Sequence, residues 1–123
     1  MKGAPSTYVI SLTPFDDHDR LDVEALRVHL RRMRDAGIGV YVGGGGSGEG
    51  YTLTRDETAT LLRVAAEELG GHVPVRSMGV EPRSAREMVE LAAVVADAGL
   101  PAMQVYSLDA GHGRMPRPDE LET

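Results

Sequence analysis

Tyr41–Glu57 reads YVGGGGSGEGYTLTRDE, and three structural signals follow one another within it. The β-branched and aromatic residues of GVYV, Gly39–Val42, predict a short strand. Six of the eight residues from Gly43 to Gly50 are glycine, which marks a tight turn or a backbone that comes close to a ligand. Thr54-x-x-Glu57 is then a capping-box pattern that opens a helix. A strand, a glycine loop and a helix in that order make one strand–helix unit.

The unit repeats on both sides. Short β-rich runs occur at Tyr8–Leu12, Gly39–Val42, Val73–Met78 and Ala102–Tyr106, with starts roughly 30 residues apart, the length of a strand plus its crossover helix. Three helical patterns lie between them. The first covers about Val23 to Ala36, with Leu26, Leu30 and Met33 on one face and Asp22 as N-cap. The second covers about Arg55 to Leu69. The third covers about Ala85 to Ala98, is opened by Ser84-x-x-Glu87, and carries Met88, Leu91, Ala92 and Val95 as its apolar stripe. Helix exits repeat as well: DAG at Asp35–Gly37 and at Asp97–Gly99, and ELGG at Glu68–Gly71, each place a glycine where a helix stops. Short connections between alternating strands and helices predict parallel strands with right-handed crossovers. The expected fold is therefore α/β, a single domain over residues 1–123 with about three and a half strand–helix units. A last helix start, PRPDELET, reaches its first turn at Thr123.

Composition narrows the function. With 41% hydrophobic and 26% charged residues the 123-residue chain matches ordinary globular proteins. A net charge of −6 argues against nucleic acid, which requires a basic face. The arginines are scattered along the helical patterns near acids and read as solvated faces. No apolar run reaches the 18 residues of a membrane span, and the N-terminus shows no signal-type apolar segment, so a cytoplasmic protein without a membrane partner is expected. There is no cysteine, which removes disulfides and thiolate metal sites. Of the 13 basic residues only Lys2 is a lysine.

The glycine run admits three readings. Gly43-x-Gly45-x-x-Gly48 satisfies a dinucleotide fingerprint in form, but the helix begins only after Thr54, and the acidic residue expected after a following strand is absent. A P-loop is excluded because no Gly-Lys-Ser/Thr follows. A plain connecting loop has no need of Ser47 and Glu49 among the glycines. The third reading is a cradle of backbone N–H groups at the C-terminal end of a parallel strand, facing a carboxylate or phosphate, with the Ser47 hydroxyl as a further donor. Elsewhere, Asp109 and His112 stand three apart in a glycine-rich loop, as an acid–base pair or a substrate contact; two such residues are too few for a metal site. His18, His29 and His72 read as surface residues.

TPF at Thr13–Phe15, GGSGEGYTLTRDE at Gly45–Glu57 and AREMVELA at Ala85–Ala92 together resemble the dihydrodipicolinate synthase / N-acetylneuraminate lyase family, in order and spacing over almost the whole chain. The resemblance implies a (β/α)8 TIM barrel, of which this chain would be the N-terminal half, and a pyruvate-dependent class I aldolase or lyase acting on small 2-keto acids without a cofactor. It implies that Gly46 and Ser47 hold the keto-acid carboxylate, that Glu49 ties the loop down, and that Thr13 stands at the barrel mouth. Thr13 read by itself is a strand-end turn residue before Pro14. Gly46 stands where synthase-type members often have a proton-relaying threonine, and Tyr106 is offset by two or three positions from the family's relay tyrosine, with Asp109 near its usual place. Tyr106, Asp109 and His112 are the remaining catalytic candidates.

The family's chemistry runs through a Schiff base on a lysine of the sixth strand. This chain stops after the fourth, and Lys2 precedes the first. The resemblance thus implies a truncated lyase without its own nucleophile, inactive alone. The alternative is a non-catalytic half barrel that binds an anion or assembles. A half barrel leaves two sheet edges and an apolar inner face open, so a homo-oligomer or a complementary C-terminal half-barrel is expected as partner.

Overall fold

A computed structural model describes residues 7–44, 47–78 and 84–104. Its elements run β1 (Tyr8–Ile10), α1 (Val23–Asp35), β2 (Gly39–Val42), a 3-10 turn (Gly50–Thr52), α2 (Arg55–Leu69), β3 (Val75–Ser77) and α3 (Ala85–Asp97). The strands pair in parallel in the order β1-β2-β3, with Ile10, Tyr41 and Arg76 in one register row. Beyond β3, Met103 bridges Ser77 in parallel, and Gln104 N–H donates to the Ser77 carbonyl. This bridge falls within the β-rich run Ala102–Tyr106, of which residues 105 and 106 lie outside the described residues. This is a partial parallel β/α assembly of the kind the spacing predicted.

The helix boundaries follow from capping chemistry. The Asp22 carboxylate accepts the Ala25 N–H at the start of α1. Thr54 and Glu57 close a reciprocal capping box at α2, and the Ser84 hydroxyl accepts the Glu87 N–H at α3. The exits use glycine where a left-handed residue is required: Gly37, Gly71 and Gly99 have φ of +72°, +80° and +85°. β2 matches its β-rich run, while β1 and β3 are shorter than theirs. β1 ends at Ile10 because Ser11 and the residues after it turn toward the loop, although Ser11 N–H still reaches the Tyr41 carbonyl. β3 begins after Pro74, whose nitrogen cannot donate to a ladder.

All described helices share in one core. Val40, Val42 and Val75 face Leu26 and Leu30 of α1, Leu61, Leu62, Val64, Ala65 and Leu69 of α2, and Val95 of α3. The opposite side of the sheet carries Tyr8, Ile10, Tyr41, Arg76 and Met78. Ile10 is 41% exposed and Leu12, next on the same alternation, 57% exposed. Helices on one face and a bare second face are the layering of a barrel wall.

Two readings of the surface need correction. The arginines of α1 are not simply solvated. Arg27 and Arg31 both donate to Glu68 of α2, at 2.8 to 3.0 Å, and Arg34 adds a longer contact. The Glu68 side chain is only 9% exposed, and the Arg31 and Arg27 donors hold its carboxyl below the usual range. These positions lie 34 to 41 residues apart in sequence, so local charge spacing could not show the clamp. His29 is half-buried on α1, and its Nε2 is buried with no hydrogen-bond partner among the described residues. His18 and His72 are exposed as expected.

Candidate functional site

The glycine loop leaves the C-terminal end of β2 and folds back across itself. Gly43 has φ +79°, a turn that side chains resist. Gly50 N–H then donates to the Gly44 carbonyl at 2.8 Å, closing the loop. Gly48 lies against the Gly44 backbone so closely that a Cβ on it would meet the Gly44 nitrogen at 2.7 Å and oxygen at 2.8 Å. A Cβ on Gly44 would meet the Met78 sulfur at 3.0 Å and Ile10 Cγ2 at 3.3 Å. These glycines are thus explained by close approach of backbone to backbone and to the side chains of β1 and the end of β3.

Thr13 supplies the lock. It is 4% exposed, and its hydroxyl donates to the Gly48 carbonyl across 35 residues of sequence. Thr13 lies three residues beyond the end of β1 and stands against the glycine loop. Its proton is committed to holding the loop. Ser47, one residue before Gly48, is exposed as a residue on the locked turn. Glu49 is exposed as well, with left-handed φ of +52°. What Glu49 contributes is its carbonyl, which accepts from the Thr52 amide and hydroxyl. Gly46, Tyr106, Asp109 and His112 lie outside the described residues, as does Lys2.

The next loop inward is braced by one carboxylate. Glu57 accepts the Thr54 N–H in the capping box at 3.0 Å, and its second oxygen accepts the Leu21 N–H at 2.9 Å. These backbone donors hold its pKa below the usual carboxylate value. The connection from β1 to α1 is thereby fastened to the start of α2. Within that connection the Asp16 carboxylate accepts from the His18 and Arg20 amides, which lower its pKa, and Asp19 takes φ +59°. Both loops at this end of the sheet are held by hydrogen bonds of the chain's own groups. Among the described residues no group of three or more metal-ligating side chains occurs.

Beneath the loop, on the bare face of the sheet, is a cluster that sequence reasoning missed. The Tyr8 and Tyr41 rings lie 5.7 Å apart. Arg76 places its guanidinium 5.3 Å and 5.9 Å from their centroids and donates to the Tyr41 hydroxyl at 3.2 Å. Tyr41 is the largest influence on the raised pKa of Arg76. Gly39 makes room for it, since a Cβ there would meet the Tyr8 ring at 2.5 Å. The signal was the period-two alternation of the strands, which puts positions 8, 41 and 76 on the side away from the helices.

Residues 6–106 match the dihydrodipicolinate synthetase family. The chain belongs to that family. It is 34% identical over 111 residues to the 4-hydroxy-tetrahydrodipicolinate synthase of Natronomonas pharaonis, covering 90% of this chain and 36% of that protein. Over 63 residues it is 44% identical to the N-acetylneuraminate lyase of Citrobacter koseri, covering 50% of this chain and 21% of the other. Its fold superimposes on the crystal structure of dihydrodipicolinate synthase from Aquifex aeolicus with a TM-score of 0.73 at 27% identity, over 80% of this chain and 33% of that one. The chain thus spans about a third of the length of the synthases it matches. Among the described residues no helix is long and apolar enough to cross a membrane.

Proposed function

We propose that this chain forms the carboxylate-binding part of a cytoplasmic 2-keto-acid lyase of the dihydrodipicolinate synthetase family. The amides of Gly46 and Ser47 and the Ser47 hydroxyl receive the carboxylate of a pyruvate-like substrate. The observation that carries this reading is the Thr13–Gly48 lock together with the Gly50–Gly44 closure. They fix a glycine turn at the C-terminal end of a parallel strand, where sites in α/β folds form, with Ser47 on its accessible side.

Thr13 serves as a positioning residue. Chemistry at the keto carbon needs an amine that condenses with it, and the only lysine of this sequence is Lys2, ahead of β1. The reaction therefore draws its nucleophile from a complementary C-terminal half-barrel, and the isolated chain binds without turnover. Tyr106, Asp109 and His112 remain candidates for contacts at the mouth.

Pyruvate titrated into the chain should shift the Ser47 amide resonance saturably, with inorganic phosphate at equal ionic strength as the comparison. Borohydride added with pyruvate should leave the chain unlabelled. Covalent labelling within residues 3–123 would overturn the division of labour, and an unmoved Ser47 amide would overturn the cradle.

A further inference from the structure

Among the described residues, the bare face of the sheet carries one charge and no counter-charge. Its residues are Tyr8, Ile10, Tyr41, Arg76 and Met78, with Leu12 next to Ile10 on the same side. None is acidic. Arg76 is held by two aromatic rings and one phenol oxygen, and among the described residues it has no carboxylate partner. Ile10 and Met78 meet over Gly44, so the apolar part of the face reaches the floor of the glycine loop. This side of a barrel wall is interior once the barrel is closed.

Closure changes the standing of Arg76. A guanidinium does not lose its proton in a protein, so burial cannot neutralise it. A buried cation is retained only when it is paired and hydrogen-bonded. Tyr41 Oη takes one of its five N–H donors, and the ring faces offer no further acceptors. A second copy of the chain closing onto the same face would bring another Arg76 at the same height, another pair of tyrosines and no acid.

We propose that this face is covered by a β/α layer of different sequence that places a carboxylate against Arg76, and that Arg76 bars a second copy from that position. The proposal rests on reading the chain as one part of a lyase barrel. It concerns what closes the barrel, and is independent of whether the glycine loop holds a keto acid.

The chain itself supplies the test. It contains no cysteine, so Leu12→Cys puts a single thiol on the bare face. In this background Arg76→Met removes the charge at similar volume, Arg76→Lys keeps it, and Arg76→Glu reverses it. Self-association is followed by sedimentation velocity and by disulfide formation between the introduced thiols, with circular dichroism checking that the helices remain. Like charges opposed at an interface cost several-fold to many-fold in affinity, so Arg76→Met should self-associate at least about tenfold more tightly than the Leu12→Cys parent, and Arg76→Lys should not. An equimolar mixture of the parent and the Arg76→Glu chain should give the crosslinked hetero-pair in excess over either homo-pair. A parent that already crosslinks through Cys at position 12 as readily as Arg76→Met would overturn the proposal. So would a mixture with no preference for the hetero-pair, or a large loss of stability in monomeric Arg76→Met, which would mean that the chain already pairs Arg76 with an acid. Pyruvate binding at Ser47 is read separately in the same samples, so failure of the cradle and failure of this proposal appear as different results.

Discussion

Replacing Gly48 by alanine tests whether the glycine loop is built by close packing. The added Cβ would stand 2.7 Å from the Gly44 nitrogen, 2.8 Å from its oxygen and 3.3 Å from its Cα. All three are backbone atoms, so no side chain can swing aside, and the loop must open by several tenths of an ångström. Two hydrogen bonds lie on the path of that movement, Gly50 N–H to Gly44 and Thr13 Oγ1 to Gly48. Overpacking costs about 1–3 kcal/mol, and each weakened hydrogen bond adds about 0.5–1.5 kcal/mol. Gly48→Ala should therefore lose about 2–6 kcal/mol in urea unfolding with an unchanged m value. Gly37→Ala is the control. Nothing lies within 4 Å of its added Cβ, so only the strain at φ +72° remains, worth about 1 kcal/mol. Gly48→Ala within 0.5 kcal/mol of wild type, or no worse than Gly37→Ala, would refute the crossing of the two glycine backbones.

Other substitutions address the lock, the cradle and the helix clamp. Thr13→Val leaves the Gly48 carbonyl without its donor and should destabilise by about 1–3 kcal/mol, while Thr13→Ser should restore most of it; equal stabilities by urea titration would count against the lock. Ser47→Ala should weaken pyruvate binding about tenfold to a hundredfold, the loss of about one hydrogen bond to a charged group, and leave the melting temperature unchanged; a fall in stability without a change in binding would make Ser47 structural. Glu68→Gln should lose about 1–2 kcal/mol at pH 7, discounted because Arg31 is half exposed. The folded-state pKa of Glu68 is lowered, so its contribution is complete above the unfolded carboxylate value of about 4.3 and is lost as pH falls through the lower folded value. The gap between wild type and Glu68→Gln should close in that acid window, and a gap that persists there would place the effect elsewhere.

Local signals carried most of the fold into the sequence. The three helices lie within a residue of where Asp22, Thr54-x-x-Glu57, Ser84 and the exit glycines put them, because caps are decided by neighbours three or four residues away. The glycine loop was legible as a site for the same reason: its composition is extreme over eight residues. The contacts that hold it were not. Thr13 to Gly48 spans 35 residues and Leu21 to Glu57 spans 36, and such pairs exist only once β1 and β2 lie side by side. The same holds for Arg27 and Arg31 on Glu68, and for Arg76 over Tyr8 and Tyr41.

Binding and chemistry depend on the sequence in different ways, so the proposed cradle does not require a lysine in the same segment. A cradle of backbone amides requires a path for the chain, and almost any sequence that allows the path supplies the donors. Here the path is set by glycines at 43, 44 and 48 and by the Thr13 hydroxyl. Each ordered glycine costs roughly 0.5–1 kcal/mol more than alanine would, so Gly43, Gly44, Gly48 and Gly50 are tolerated only where other contacts fix the loop. The Gly50 and Thr13 hydrogen bonds and the packing of Ile10 and Met78 over Gly44 do so. Schiff-base chemistry, by contrast, hangs on one amine at one place. A chain whose only lysine precedes its first strand can keep every element of the cradle.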